Sequence, residues 1–415
     1  MNLNITKVIY IMSHCPAYEE YSNKPRPEIN WDTPDGTWVG IAGYDWPDLL
    51  GKYIKLQDKR IRYEVWQPDL RAKRVYSHTF EEGWTHKQFP AQTETYYHGL
   101  KRRKRIISHQ LLDLIENTLG QKTIFILPMP DSRLVRTIIK KYKNHKILCN
   151  CLGDLTLPLL NFWKYKKNIF SKINSVYDLF AIKRVLPYID GFALINHNHL
   201  DKFHKFYKGR YWIVPMGTDS EYWKPLDKNI CRKKQNLPED KTILFSASRL
   251  NDLKQVDKTI EILNKISDRY DFLYIVSGHG TRSYENYLHN RAAPLIQKSM
   301  IRFTGYVTDE ELLNYYNAAD VFLLTSLSEG SPVSVQKAFS CNVPVFTTNV
   351  GFTAELMQKF NVGMIVPKTD YLSWESAFRA ILEGNMPKLF DREKALAVFS
   401  WTNVAKKYIQ ILNTL

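Results

Sequence analysis

Strand-like and helix-like segments alternate along the whole chain, and this order constrains the fold more than any single residue does. Such alternation calls for parallel sheets covered by helices on both faces. In the first half the patterning predicts strands over Lys7–Met12, Tyr63–Gln67, Thr123–Leu127, Lys146–Cys149, Gly191–Ile195 and Tyr211–Val214. Helices are expected over Trp46–Leu56, Ser132–Tyr142 and the region Lys164–Ile189. A polar stretch after the second strand leads to Lys101-Arg-Arg-Lys-Arg105, read as the start of a helix running through Leu119. The second half repeats the order, with strands over Thr242–Ser246, Asp271–Val276, Ile301–Thr304, Val321–Leu324 and Pro344–Thr347. Its helices are expected over Lys254–Ile266, Asp309–Ala318, Val333–Ser340 and Ser400–Leu412.

A chain of 415 residues exceeds one ordinary core, so two domains are expected. The turn formers Gly217, Pro225, Asp227 and Asn229 place the boundary between Pro215 and Pro238. We therefore expect an α/β protein of two Rossmann-like, doubly wound domains facing a central cleft, over residues 1–215 and 216–398. In open sheets of this kind, ligands sit at the carboxyl ends of the strands.

Hydrophobic residues make up 44% and charged residues 24% of the chain, which describes a folded protein and excludes a disordered one. No apolar run reaches spanning length, and the amino-terminal run reads as a strand rather than a leader. Five scattered cysteines, with Cys149 and Cys151 in an apolar run, speak against zinc and a disulfide framework. A reduced, cytoplasmic compartment is expected. The net charge of +16 favours anionic partners: nucleotide phosphates, an acidic membrane surface or nucleic acid.

The chemistry concentrates in Ser328-Glu329-Gly330-Ser331-Pro332, just ahead of a helix. A helix start presents N–H groups and a positive dipole end to an anion, and a carboxylate accepts from hydroxyl donors. A nucleotide-activated sugar carries both kinds of group. Arg249 and Lys254 flank a turn after a strand, where two cations can neutralise a departing diphosphate, or simply be surface charges. Gly278 and Gly280 also follow a strand, where glycine lets backbone pass close to a ligand or form a tight turn. Gly305, Tyr306 and Val307 follow the next strand and can frame a planar base.

Taken in order, Ser248-Arg249-Leu250 with Lys254, Gly278-x-Gly280, Phe303–Val307, Ala318–Leu323, Ser328–Pro332, Ala338–Pro344 and Val350-Gly351 with Glu355 form a specific set. From about Pro215 to Val366 this resembles the donor-binding half of retaining family-4 glycosyltransferases of the GT-B fold (glycosyl transferases group 1). Pro215-Met-Gly-Thr-Asp219 looks like the family's linker, and residues 399–415 like its closing helix, which crosses back to the first domain. Over the first 210 residues only the strand–helix order and the Gly-rich first loop, with Gly40, agree.

The resemblance implies transfer of a sugar, with retained configuration, from a UDP- or GDP-sugar to a hydroxyl of a glycan or lipid-linked acceptor. Arg249 and Lys254 would hold the diphosphate in place of a metal, and no cofactor is expected beyond the nucleotide-sugar co-substrate. Glu329 would bind the sugar's hydroxyls, with the Gly330 and Ser331 amides and Pro332 beside it. The family's second glutamate, eight residues on, is Lys337 here, beside Gln336. A lysine cannot accept from ribose hydroxyls, so Gln336 or a backbone group takes over, or Lys337 points to solvent. A histidine expected near Cys151–Leu155 is replaced by Gly153, which leaves Asp154 as a base, a sugar contact or a turn cap. His14 is a further cleft candidate or a satisfied loop histidine. Lys101–Arg105 suits an anionic membrane surface, a nucleic-acid backbone or plain solvent. These departures keep open a binding protein that has lost the chemistry, and the charge keeps open a nucleic-acid acceptor.

Overall fold

The computed structural model describes residues 7–12, 46–70, 72–98, 101–117, 123–151, 169–198 and 200–415. Gly40, His14, Gly153 and Asp154 lie outside the described residues. The chain divides into two compact units. Of the described residues, the first holds those up to Pro215 together with Trp401–Leu415, and the second holds Met216–Ser400.

The first unit is built on strands β1 (Lys7–Ile11), β2 (Tyr63–Asp69), β3 (Tyr76–Thr79), β4 (Thr85–Pro90), β5 (Gln92–His98), β6 (Lys101–Ile107), β7 (Thr123–Pro128), β8 (Lys146–Cys151), β9 (Gly191–Leu194) and β10 (Arg210–Ile213). Eight of them form one sheet in the order β10-β9-β8-β7-β1-β2-β4-β3. All neighbours are parallel except β3, which runs antiparallel to β4. Alternate residues of the central strands face one core: Ile9, Ile11, Phe125, Leu127, Ile147, Cys149, Phe192 and Leu194 pack with Ile138, Ile139 and Phe203. The opposite set, Val8, Tyr10, Ile126 and Leu148, is buried too, as expected of a parallel sheet covered on both sides. Burial pushes the Cys149 and Cys151 thiols up, so these are packing residues.

The polar stretch after β2 proves to be a strand-rich extension. Lys101–Arg105, expected to open a helix, lies inside β6 and pairs antiparallel with β5, from Gln92↔Ile107 to His98↔Lys101. The helix that follows is shorter than expected, His109–Asn117.

At the amino-terminal ends of the strands, Glu64 is 1% exposed and surrounded by cations. Lys7 Nζ lies 3.1 Å, Lys87 Nζ 2.9 Å and Arg62 Nε 3.0 Å from its carboxylate. The Trp66 indole N–H also donates to it at 2.8 Å. Burial alone would raise this carboxyl, but Lys87, Lys7 and the indole outweigh it and hold the pKa at about 2.

The last helix, Trp401–Thr414, packs on helix Trp46–Gln57 of the same unit. Trp46 meets Trp401 edge-on at 5.7 Å and Tyr408 at 5.5 Å between ring centres. Gln57 Nε2 donates to the Thr402 carbonyl at 2.8 Å.

The second unit contains β11 (Thr242–Ala247), β12 (Phe272–Ser277), β13 (Ile301–Gly305), β14 (Val321–Leu324), β15 (Val345–Thr348) and β16 (Met364–Val366). They form one all-parallel sheet in the order β13-β12-β11-β14-β15-β16. Helices Asp309–Ala318 and Val333–Ser340 form over the residues their patterns predict. Thr308 and Glu311 close a reciprocal capping box at the start of the former. Six further helices were not anticipated: Lys228–Lys234, Arg282–Arg291, Ala293–Gln297, Gly351–Phe360, Tyr371–Leu382 and Arg392–Phe399. Where the chain enters and leaves this unit its two ends meet, with Thr218 N donating to the Phe399 carbonyl at 2.8 Å.

Candidate active site

In the second sheet the strand order reverses between β11 and β14, which are neighbours although two strands and their helices separate them in sequence. Helices leaving these two strands diverge, so a crevice forms at their carboxyl ends. The loop after β11 carries Arg249 and Lys254, and the loop after β14 carries Glu329. The topology therefore brings together residues 75 positions apart.

Short hydrogen bonds lock the two loops. Leu327 N donates to the Leu253 carbonyl at 2.7 Å, and Thr325 Oγ1 to the Lys254 carbonyl at 2.9 Å. Asn251 caps the single turn Asp252–Lys254, and Gln255 then takes a left-handed φ of 50° to start helix Val256–Ile266. This geometry delivers the Lys254 ammonium to Glu329 Oε1 at 2.5 Å. Ser326 Oγ donates to the same oxygen at 2.6 Å. Both charged side chains are largely buried, 19% and 13% exposed. Arg249, on the same loop, is exposed.

The turn after Glu329 rests on a second helix start. Phe352 N donates to the Gly330 carbonyl at 2.9 Å. Gly351 opens helix Gly351–Phe360 with φ of +67°, and a Cβ there would stand 2.8 Å from that carbonyl. Only glycine fits that approach. Pro332 begins helix Val333–Ser340, so two helix starts flank Gly330 and Ser331.

Two expectations change. Gln336 does not face a ligand: it is fully buried, its Nε2 donating to Ser331 Oγ at 2.8 Å and its Oε1 accepting from Thr218 Oγ1 at 2.9 Å. With Met216 N also donating to Ser331 Oγ at 3.2 Å, Gln336 ties the Glu329 turn to the unit's first residues. Gly278 and Gly280 allow protein backbone to pass close by. A Cβ on either would lie 1.8 Å from the Ser248 carbonyl oxygen or 2.2 Å from that of Leu250. Their N–H groups are taken as well, by the Gly305 carbonyl at 2.9 Å and Glu285 Oε1 at 2.7 Å. The glycines thus let the Arg249 loop close against the β12 loop.

Lys337 does not stand in open solvent. Its ammonium lies 3.8 Å above the Trp223 ring centre and 3.9 Å from Asp309 Oδ1, with 20% of the side chain exposed. The weakly solvated face of the indole holds the cation in place. Tyr306 is exposed, with its ring 6.2 Å from that of His279, and Val307 is half-buried. Sequence reasoning missed Ser326, Thr325, Trp223 and Thr218. Ser326 and Thr325 had a usable signal, hydroxyl residues directly after an apolar strand; Trp223, 114 positions from Lys337, had none. Among the described residues no cluster of His, Cys, Asp and Glu is arranged to hold a metal ion.

Residues 227–395, within this unit, match the family described as glycosyl transferases group 1. The second unit is a group 1 glycosyltransferase domain. Curated relatives include the O-antigen biosynthesis glycosyltransferase WclY of Escherichia coli, 25% identical over 217 residues, which cover 49% of this chain and 58% of that protein. D-inositol 3-phosphate glycosyltransferase 2 of Catenulispora acidiphila is 27% identical over 184 residues, covering 42% of this chain and 43% of its own. The chain thus spans about half the length of the curated relatives it matches. Among solved structures, sucrose-phosphate synthase of Thermosynechococcus elongatus superposes with a TM-score of 0.65 at 18% identity, covering 99% of this chain and 98% of that one. The Anabaena HepE protein in complex with UDP gives 0.66 at 14% identity, covering 99% and 100%. The group 1 domain and the first unit together have the GT-B fold. Among the described residues no helix is long and apolar enough to cross a membrane.

Proposed function

We propose that the protein is a retaining glycosyltransferase that moves a hexose from a nucleotide-diphosphate sugar to a hydroxyl of a glycan or lipid-linked acceptor. One observation carries the reading: a carboxylate and an ammonium, Glu329 and Lys254, meet at the strand-order reversal of a group 1 domain. In the reaction the bond from the sugar's anomeric carbon to the diphosphate oxygen breaks, and its electron pair stays on the diphosphate. The acceptor oxygen bonds to the same carbon, and its proton leaves to the departing phosphate oxygen. Lys254 and the exposed Arg249 would balance the charge that develops on the diphosphate, and no metal is invoked. Glu329 would accept from the sugar's hydroxyls, and the amides of Gly330 and Ser331 would lie beside the phosphates. Uridine and guanosine donors both suit this reading, which draws support from the UDP-bound HepE neighbour.

A panel of UDP-glucose, UDP-galactose, UDP-N-acetylglucosamine and GDP-mannose tests it. At least one should raise the melting temperature, because a ligand of the native state stabilises that state. The same compound should release its nucleotide diphosphate slowly to water. Glu329→Ala should cut that release by about 10²–10³-fold with the fold intact. Binding without release in either protein would favour a sugar-nucleotide-binding protein lacking the chemistry. No binding by a folded chain would overturn the proposal.

The basic strand β6 bears on the acceptor. A run of five cations can draw the enzyme to anionic lipid headgroups, each contributing about 1 kcal/mol near the surface. Sedimentation with vesicles containing phosphatidylglycerol, compared with neutral vesicles and with duplex DNA, separates lipid attraction from phosphate-backbone binding.

A further inference from the structure

Glu329 is held from behind. Ser326 has no exposed surface, and its hydroxyl donates to Glu329 Oε1 at 2.6 Å. The Lys254 ammonium reaches that same oxygen. Both bonds fall on Oε1, which leaves the lone pairs of Oε2 for another partner.

Two separate hydroxyl groups fix the donors. Thr348, fully buried at the end of β15, donates from Oγ1 to the Ser326 carbonyl at 2.6 Å. Thr325 Oγ1 holds the Lys254 carbonyl, and Thr259 Oγ1 lies 3.2 Å behind it. Strand β15 thus fixes one donor and the helix after β11 fixes the other. Neither Ser326 nor Thr348 has surface through which to meet a ligand. Their geometry can act on chemistry only through the carboxylate.

We infer that Ser326 is a positioning residue: its hydroxyl fixes the rotamer of Glu329 so that Oε2 faces the hydroxyls of the donor sugar. This deepens the reading under Proposed function and rests on it. A buried serine can also be a plain packing group that satisfies its own hydrogen bond. The two roles differ in what they discriminate. If Glu329 touches the sugar and not the nucleotide, releasing it must weaken the nucleotide sugar and spare the nucleotide. A general loosening of the fold would weaken both alike.

Calorimetric titration of the full chain with UDP-glucose and UDP, and with GDP-mannose and GDP, separates the possibilities. For whichever pair the wild type binds, Ser326→Ala should lower affinity for the nucleotide sugar about tenfold, the worth of one hydrogen bond to a charged group, and leave the nucleotide within twofold. Ser326→Cys, which keeps the volume but offers a weak S–H donor, should shift in the same direction and guards against misfolding of the alanine variant. Thr348→Val, which releases the Ser326 carbonyl, should shift discrimination in the same direction as Ser326→Ala and by less. Glu329→Ala should show the same selective loss, and larger. If Glu329→Ala weakens neither ligand, the reading of the site falls. If Glu329→Ala is selective while Ser326→Ala and Ser326→Cys weaken both ligands equally or neither, the positioning inference falls and the site reading stands.

Discussion

Single atoms decide the shape of the candidate site. Gly278 has a φ of +126°, and a Cβ there would lie 1.8 Å from a backbone oxygen that cannot move without opening the Arg249 loop. Gly278→Ala should therefore cost about 3 kcal/mol or more, read as a lowered urea midpoint. Gly305, only a strand away, has a φ of +66° but open space around its Cα. Gly305→Ala should cost about 1 kcal/mol, the left-handed penalty alone. Equal losses in the two variants would contradict the packing argument. Glu329, Lys254 and Arg249 stood out as candidates because each follows a strand in a turn-rich run, and the fold brings Lys254 and Glu329 together. The engagement of Lys337 by Trp223 was not, because nothing local marks a contact that only the folded sheet creates.

Hydrophobic period made some elements legible, though helix Tyr371–Leu382 was overlooked despite Trp374, Phe378 and Ile381 lying on one face. Helix Asp309–Ala318 shows both a capping signature and an apolar face, and it forms where expected. The ribbon β5–β6 has neither. Five successive cations carry no alternation, so its strand character comes from pairing with Gln92–His98 rather than from its own residues. Helix Arg282–Arg291 was overlooked for a related reason, since its only buried side chain is Leu288. The closing helix is the opposite case, with Trp401, Val404, Ala405, Tyr408, Ile411 and Leu412 buried along one stripe. Trp401→Ala should destabilise the first unit by about 3–5 kcal/mol, the usual loss for a buried tryptophan. Tryptophan fluorescence during chemical unfolding would report it, and a change under 1 kcal/mol would mean that the helix docks loosely.

Across the whole molecule, charge and topology set the limits of stability. Glu64 keeps a pKa of about 2 in the folded chain against an ordinary value of 4.5. Its ion pairs therefore stabilise the fold fully above pH 4.5 and lose that contribution as pH falls towards 2. The difference amounts to about 3 kcal/mol. Unfolding free energies measured between pH 6 and pH 3 should fall with that profile in the wild type. In Glu64→Gln the dependence should flatten, on a lower baseline because Lys7 and Lys87 lose their buried partner.

The closing helix also governs how this protein can come into being. Its first unit draws on segments before residue 216 and after residue 400, and residues from 401 onward cover part of the Trp46 surface, beside Tyr10. While a ribosome is still translating the middle portion, that part must stay bare. The second unit can thus complete its core during synthesis, whereas the first must wait for residues 401–415, with part of an aromatic face open to chaperones in the interval.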